Sequence, residues 1–206
     1  MNKQTTNIKA IFTDIGGVLL TDGWNHESRR EAALHFHIDP ADMEERHHLT
    51  FETYEIGKIS LEEYLNRIFF FQERPFSMDA FETFMYQQSQ PYSQMIELIR
   101  RLKAEYHLKV GVISNEGREL SAYRIKQFGL DSFGDFFVSS GFVGLRKPDL
   151  AIFKLALDLA QVNPDQIVYL EDRPMFVEIA EKMGMHGICH TDEASTRRQL
   201  KSLGLK

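Results

Sequence analysis

The stretch Ile8-Lys9-Ala10-Ile11-Phe12-Thr13-Asp14-Ile15-Gly16-Gly17-Val18-Leu19 decides how this chain is read. Residues 8–13 form an apolar strand that delivers one carboxylate, Asp14, into a glycine turn, and a second apolar run follows. In α/β proteins, ligands bind beyond the carboxyl ends of the strands, where Asp14 would stand. A carboxylate there can act as a nucleophile and form an aspartyl-phosphate. The glycines let the backbone come close to a bound anion or metal. Asp before Gly is also ordinary turn chemistry, so the functional reading depends on partners further along the chain.

Outward from that stretch, the chain alternates. Residues 94–106 carry Met95, Ile96, Ile99 and Leu102 at helical spacing, and residues 108–113 read as a strand. A helix over 117–128 ends at Gly129, and Phe136-Phe137-Val138 is a short strand. A helix over 149–161, a strand at 167–170, a helix to Met183-Gly184, a strand at 187–190 and a last helix after Thr191-Asp192 complete the series. Strands alternating with helices of this length imply a Rossmann-like α/β fold, a parallel sheet with helices on both faces. Residues 21–90 break the alternation: they are helical, charge-rich and without a convincing strand. Ser60-Leu61-Glu62-Glu63 has capping-box spacing, and Asp39-Pro40 reads as an N-cap followed by proline at the first helical position. The expected division is therefore a core of residues 1–20 and 91–206 with an inserted helical cap at 21–90.

With 206 residues, 43% of them hydrophobic and 26% charged, the chain suits a core domain carrying a smaller insertion. A net charge of −6 argues against a nucleic-acid or membrane-surface binder. The single cysteine, Cys189, excludes an internal disulfide and suits a reducing compartment; its apolar surroundings point to buried strand packing. Residues 1–7 are polar and lack the apolar core of a signal peptide. No apolar run approaches the ~20 residues that span a bilayer, so the expected location is cytoplasmic.

Three further features sit at strand ends or before a helix, on the same rim as Asp14. Ser114-Asn115 follows Val112-Ile113, Arg146-Lys147-Pro148-Asp149 precedes the 149–161 helix, and Glu171-Asp172-Arg173 follows Val168-Tyr169-Leu170. Taken singly, these are turn, cap and surface-charge patterns. In this joint order they resemble the four motifs of the haloacid-dehalogenase superfamily, across nearly the whole chain. Ser139-Ser140-Gly141-Phe142-Val143-Gly144-Leu145-Arg146-Lys147-Pro148 is similar to the third-motif region of the superfamily's phosphatase-like branch with an α-helical cap. Ala180-Glu181-Lys182-Met183-Gly184-Met185 is similar to the helix end after the fourth motif.

The resemblance implies a Mg²⁺-dependent phosphatase acting on a small phosphorylated metabolite through an aspartyl-phosphate at Asp14. Mg²⁺ prefers oxygen ligands and takes one or two carboxylates; Asp14 and Asp172 would supply these, with the Gly16 carbonyl as a third ligand and Glu171 beside them. Lys147 would offer positive charge to phosphate oxygens and the acidic cluster. Ser114, Asn115 and backbone N–H groups around Gly17 would cradle the phosphate. Trp24, just past the nucleophile loop, is the expected pocket residue, whereas most of the remaining cap aromatics belong to its own core. His35, His37, His47 and His48 match no zinc spacing and are expected at the cap surface. The oligomeric state is left open.

Two positions depart from the resemblance. Most phosphatases of the superfamily carry an aspartate two residues after the nucleophile, as general acid and base; here the position is Gly16. Three consequences stay open: a substrate with a good leaving group, such as a sugar 1-phosphate or an acyl phosphate; proton delivery by another group, with Asp22, Glu171 and a cap residue as candidates; or a non-catalytic phospho-ligand binder. Phe176 stands where related sequences place Asp or Asn, which should loosen a metal site. The dehalogenase branch uses a similar Asp nucleophile without metal, and the Glu171-Asp172 pair argues against it.

Overall fold

The computed structural model describes residues 6–206; the first five residues of the expected core, with most of the polar N-terminal segment, lie outside the described residues. Five parallel strands, β1 (Ala10–Thr13), β2 (Lys109–Ser114), β3 (Phe136–Ser139), β4 (Ile167–Glu171) and β5 (His186–Cys189), form one sheet in the order β3-β2-β1-β4-β5. β1 is central, with Thr13 level with Val112 on one side and Leu170 on the other. Strand order reverses at β1, and in such sheets the ligand crevice opens beyond the carboxyl ends at the reversal. Asp14, just past β1, and Ser114 and Glu171, the last residues of the neighbouring β2 and β4, stand at that crevice.

The helices, in chain order, are α1 (His26–Phe36), α2 (Pro40–Glu55), α3 (Leu61–Ile68), α4 (Met78–Gln87), α5 (Ser93–Tyr106), α6 (Arg118–Gln127), α7 (Ser140–Val143), α8 (Leu150–Ala160), α9 (Pro174–Lys182) and α10 (Glu193–Ser202). Successive strand residues point to opposite faces, and both faces are covered, so β1 and β4 are buried along their whole length. Ile11, Val110, Val112, Val168 and Leu170 pack with Leu98, Ile99 and Leu102 of α5, Ile125 of α6 and Leu200 of α10. Phe12, Ile113 and Tyr169 pack on the other face with Ile152 and Phe153 of α8 and Phe176 and Ala180 of α9.

Between β1 and α5 the chain is helical, as its pattern predicts. Ala32, Met43, Tyr64, Leu65, Phe69, Phe81 and Met85 bury a cluster of their own, to which α6 lends Leu120. The Ser60–Glu63 capping box is fully formed, and Asp39 caps α2 ahead of Pro40. The chain leaves and returns side by side: Leu20 bridges Pro91, and Thr21 N–H donates to the Gln90 carbonyl at 2.8 Å.

The structure differs from the sequence expectations at three places. His47 is buried, not superficial: its Nδ1 lies 2.7 Å from the Tyr64 hydroxyl, which also accepts from Trp24 Nε1 at 2.9 Å. Cys189 is only half-buried, because β5 is an edge strand. Ser140–Val143 forms a short helix, where the sequence offered only a motif. Among the described residues, no helix is long and apolar enough to cross a membrane.

Candidate active site

Asp14 is the first residue past β1, so the sheet itself aims its carboxylate into the crevice. Its N–H donates to the Leu170 carbonyl at 3.0 Å, which ties it to β4, and the Ile15 N–H donates to Asp14 Oδ1 at 2.7 Å. Lys147 lies between two acids: its Nζ is 3.0 Å from Asp14 Oδ2 and 2.5 Å from Glu171 Oε2, with the ammonium wholly enclosed. Asn115 holds Lys147 in place. Its Oδ1 accepts from the Lys147 N–H at 2.7 Å, and its Nδ2 donates to the Lys147 carbonyl at 2.8 Å. Asn115, which also lines the pocket that holds Asp14, thus clamps the lysine backbone.

Burial pushes the Asp14 carboxyl up; Lys147 opposes the shift and Glu171 adds to it. Glu171 is raised by the same desolvation, again against the pull of Lys147. For Lys147, burial works against the charge, but the two carboxylates outweigh it and hold the ammonium charged. Glu171 also accepts from the Tyr169 hydroxyl at 2.6 Å and from the Arg173 N–H at 3.2 Å. Tyr169 was not anticipated as a site residue, although it lies two residues before Glu171 on the same face of β4, where period-two spacing pairs side chains.

Oxygen atoms of Asp14, Glu171 and Asp172 converge within 4.8 Å of one another. Asp172 Oδ1 is buried and has no hydrogen-bond partner. A buried carboxylate oxygen left unmatched is costly unless a cation meets it, and three hard oxygen donors suit Mg²⁺. The site therefore fits a magnesium ion. Gly17 makes room for it: its φ is 70°, and a Cβ there would stand 2.5 Å from the Asp172 carboxyl. Gly17 serves this packing and lines a neighbouring cleft with Tyr92 and His190, outside the main pocket.

That main pocket, about 310 Å³, is lined by Asp14, Gly16, Ser114 and Lys147 from the sheet rim and by Trp24, Phe51 and Tyr54 from the helical insertion. Trp24 lines the pocket and also packs edge-on against Phe81, with ring centroids 5.8 Å apart. Phe176 turns its ring to Lys147, whose Nζ lies 5.1 Å from the centroid, so a cation–π contact replaces the polar group expected there. Two ion pairs with no sequence signature complete the walls, the first buried on both sides and the second with its arginine partly exposed. Glu116 pairs with Arg124, and Arg146 Nε reaches Glu55 Oε2 of the insertion at 2.7 Å.

A profile describing haloacid dehalogenase-like hydrolases matches residues 8–184. The chain is 27% identical over 172 residues to flavin mononucleotide hydrolase 1 of Arabidopsis thaliana, covering 79% of this chain and 65% of that relative's length. It is 26% identical over 200 residues to a sesquiterpene phosphatase of Aspergillus oryzae, covering 96% of this chain and 97% of the relative. A similar fold occurs in a haloacid-dehalogenase-family enzyme from Bacteroides thetaiotaomicron, crystallised with magnesium and inorganic phosphate. The TM-score is 0.73 and the identity 19%, covering 92% of this chain and 98% of that one.

Proposed function

Because the chain belongs to the haloacid dehalogenase-like hydrolases, we propose that it is a Mg²⁺-dependent phosphatase that hydrolyses a small phosphorylated metabolite through Asp14. The observation that carries this reading is the convergence of Asp14, Glu171 and Asp172, with a buried Asp172 oxygen unmatched and Lys147 set between the other two acids. Asp14, Asp172 and the Gly16 carbonyl would hold the ion, with Glu171 behind them on Lys147 and Tyr169. Bound there, it would neutralise phosphate oxygens against which a carboxylate must advance.

The remaining work falls to the chain. Asp14 attacks phosphorus, its carboxylate oriented by the Ile15 N–H and by Lys147. The Ser114 hydroxyl and the N–H groups of the glycine turn receive phosphate oxygens. Lys147 keeps Asp14 and Glu171 from repelling one another, and Asn115 fixes the backbone that carries it. Residues 1–20 and 91–206 act as the catalytic core, and residues 21–90 as a cap whose Trp24, Phe51 and Tyr54 face the leaving group. Sugar phosphates remain the first substrates to try, since a leaving group stable as an anion tolerates Gly16 best.

The test is phosphate release from sugar, acyl and aryl phosphates with and without Mg²⁺, with Asp14→Asn as the blank. Release that requires the metal and vanishes in the blank supports the phosphatase. Ligand-induced thermal stabilisation without release supports the non-catalytic binder. Halide release from 2-haloacids without metal would favour the dehalogenase.

A further inference from the structure

We propose that Asp22 supplies the proton-transfer carboxylate that Gly16 lacks. The inference rests on the phosphatase reading and adds one residue to it. A Cβ built on Gly16 would stand 2.9 Å from Asp22 Oδ1, its nearest neighbouring atom. The carboxylate of Asp22 thus enters the space into which a side chain at position 16 would project. Asp22 also lines the pocket that holds Asp14. It lies six positions beyond Gly16 in sequence; in space it reaches the same side of the nucleophile loop.

The backbone that carries Asp22 is pinned. Thr21 N–H donates to the Gln90 carbonyl at 2.8 Å, Thr21 Oγ1 donates to the Gln88 carbonyl at 2.9 Å, and the Thr21 carbonyl accepts from Arg124. A proton donor must be held within hydrogen-bond reach of the leaving oxygen, and these bonds fix its base. The other pocket acids are committed elsewhere. Asp14 pairs with Lys147, Glu55 with Arg146 and Glu116 with Arg124, whereas among the described residues Asp22 makes no ion pair. It is the pocket carboxylate left to take and give a proton.

In the first step an Asp14 oxygen bonds to phosphorus, the bond from phosphorus to the leaving oxygen breaks, and that oxygen takes the proton of the Asp22 carboxyl. In the second, the Asp22 carboxylate removes a proton from water, the water oxygen bonds to phosphorus, and the Asp14–phosphorus bond breaks. Inorganic phosphate departs, Asp14 is again a carboxylate and Asp22 is again protonated. One water is consumed per ester cleaved, and no further reactant is needed.

The experiment measures kcat/KM of the full chain with Mg²⁺ on phosphate esters ordered by leaving-group acidity, from alkyl to nitrophenyl. Asp22→Asn keeps the shape and removes the proton. On alkyl esters it should lose ~10²-fold or more, within the range general acid catalysis supplies, and the loss should shrink steadily as the leaving group becomes more acidic. Gly16→Asp combined with Asp22→Ala restores a carboxyl from the other side of the same space, and should recover activity on alkyl esters relative to Asp22→Ala alone. A loss of equal size across the series, or no recovery in the double variant, overturns the role of Asp22 while wild-type turnover leaves the phosphatase standing. A wild-type chain inert on every ester overturns both.

Discussion

Asp14, Lys147 and Glu171 act as one unit because burial leaves them no alternative. An ammonium with no solvent exposure must stay paired, and each carboxylate beside it would repel the other without it. Gly17 makes a second demand at this scale, for it needs both a left-handed backbone and an absent side chain. Gly17→Ala should cost about 1–2 kcal/mol for the backbone and push the Asp172 carboxyl aside. The folded variant should then lose both its thermal stabilisation by Mg²⁺ and its phosphate release. A variant that keeps the full Mg²⁺ shift would show that Asp172 has room to spare.

The elements show which features a sequence can reveal. The strand ending at Asp14 was legible because a strand buried on both faces is apolar along its length, and the α3 start was legible because capping boxes are local. The contact that seats the insertion on the core was not. Gly57, with a φ of 72°, would place a Cβ 2.3 Å from the Gly141 carbonyl, and Ser140 Oγ donates to the Glu55 carbonyl at 2.7 Å. Those residues lie more than eighty positions apart, and nothing local to either announces the other. Likewise, Asp22 is only one of several candidate proton donors in the sequence until the backbone brings it to Gly16. Gly57→Ala should destabilise the protein beyond the ~1–2 kcal/mol of a left-handed alanine, because the α2 end must lift from α7. Urea unfolding measures it, and a loss within that range would mean the seam is loose.

At the scale of the whole molecule, the insertion hides a titratable group. Tyr64 accepts from Trp24 Nε1, and its hydroxyl lies 2.7 Å from His47 Nδ1. Burial, aided by the charge of Arg29, lowers His47 to about 4 from an ordinary 6.5. The unfolded chain therefore binds the extra proton between those values, so stability is full above pH 6.5 and falls as pH drops toward 4. The loss is at most about 3–4 kcal/mol at ~1.4 kcal/mol per unit. His47→Gln, which keeps an acceptor for Tyr64, should flatten that slope in urea titrations; an unchanged slope would place the pH sensitivity elsewhere. The same insertion joins Trp24 to the pocket, so the fold and the site meet in one hydrogen-bonded chain. If phosphate passes through Asp14, acid-quenched turnover read by peptide mass spectrometry catches it there. The peptide containing Asp14 should carry a phosphoryl group, absent from Asp14→Asn. Steady phosphate release with that peptide unmodified in rapid-quench samples, or with the phosphoryl group on another residue, would contradict it.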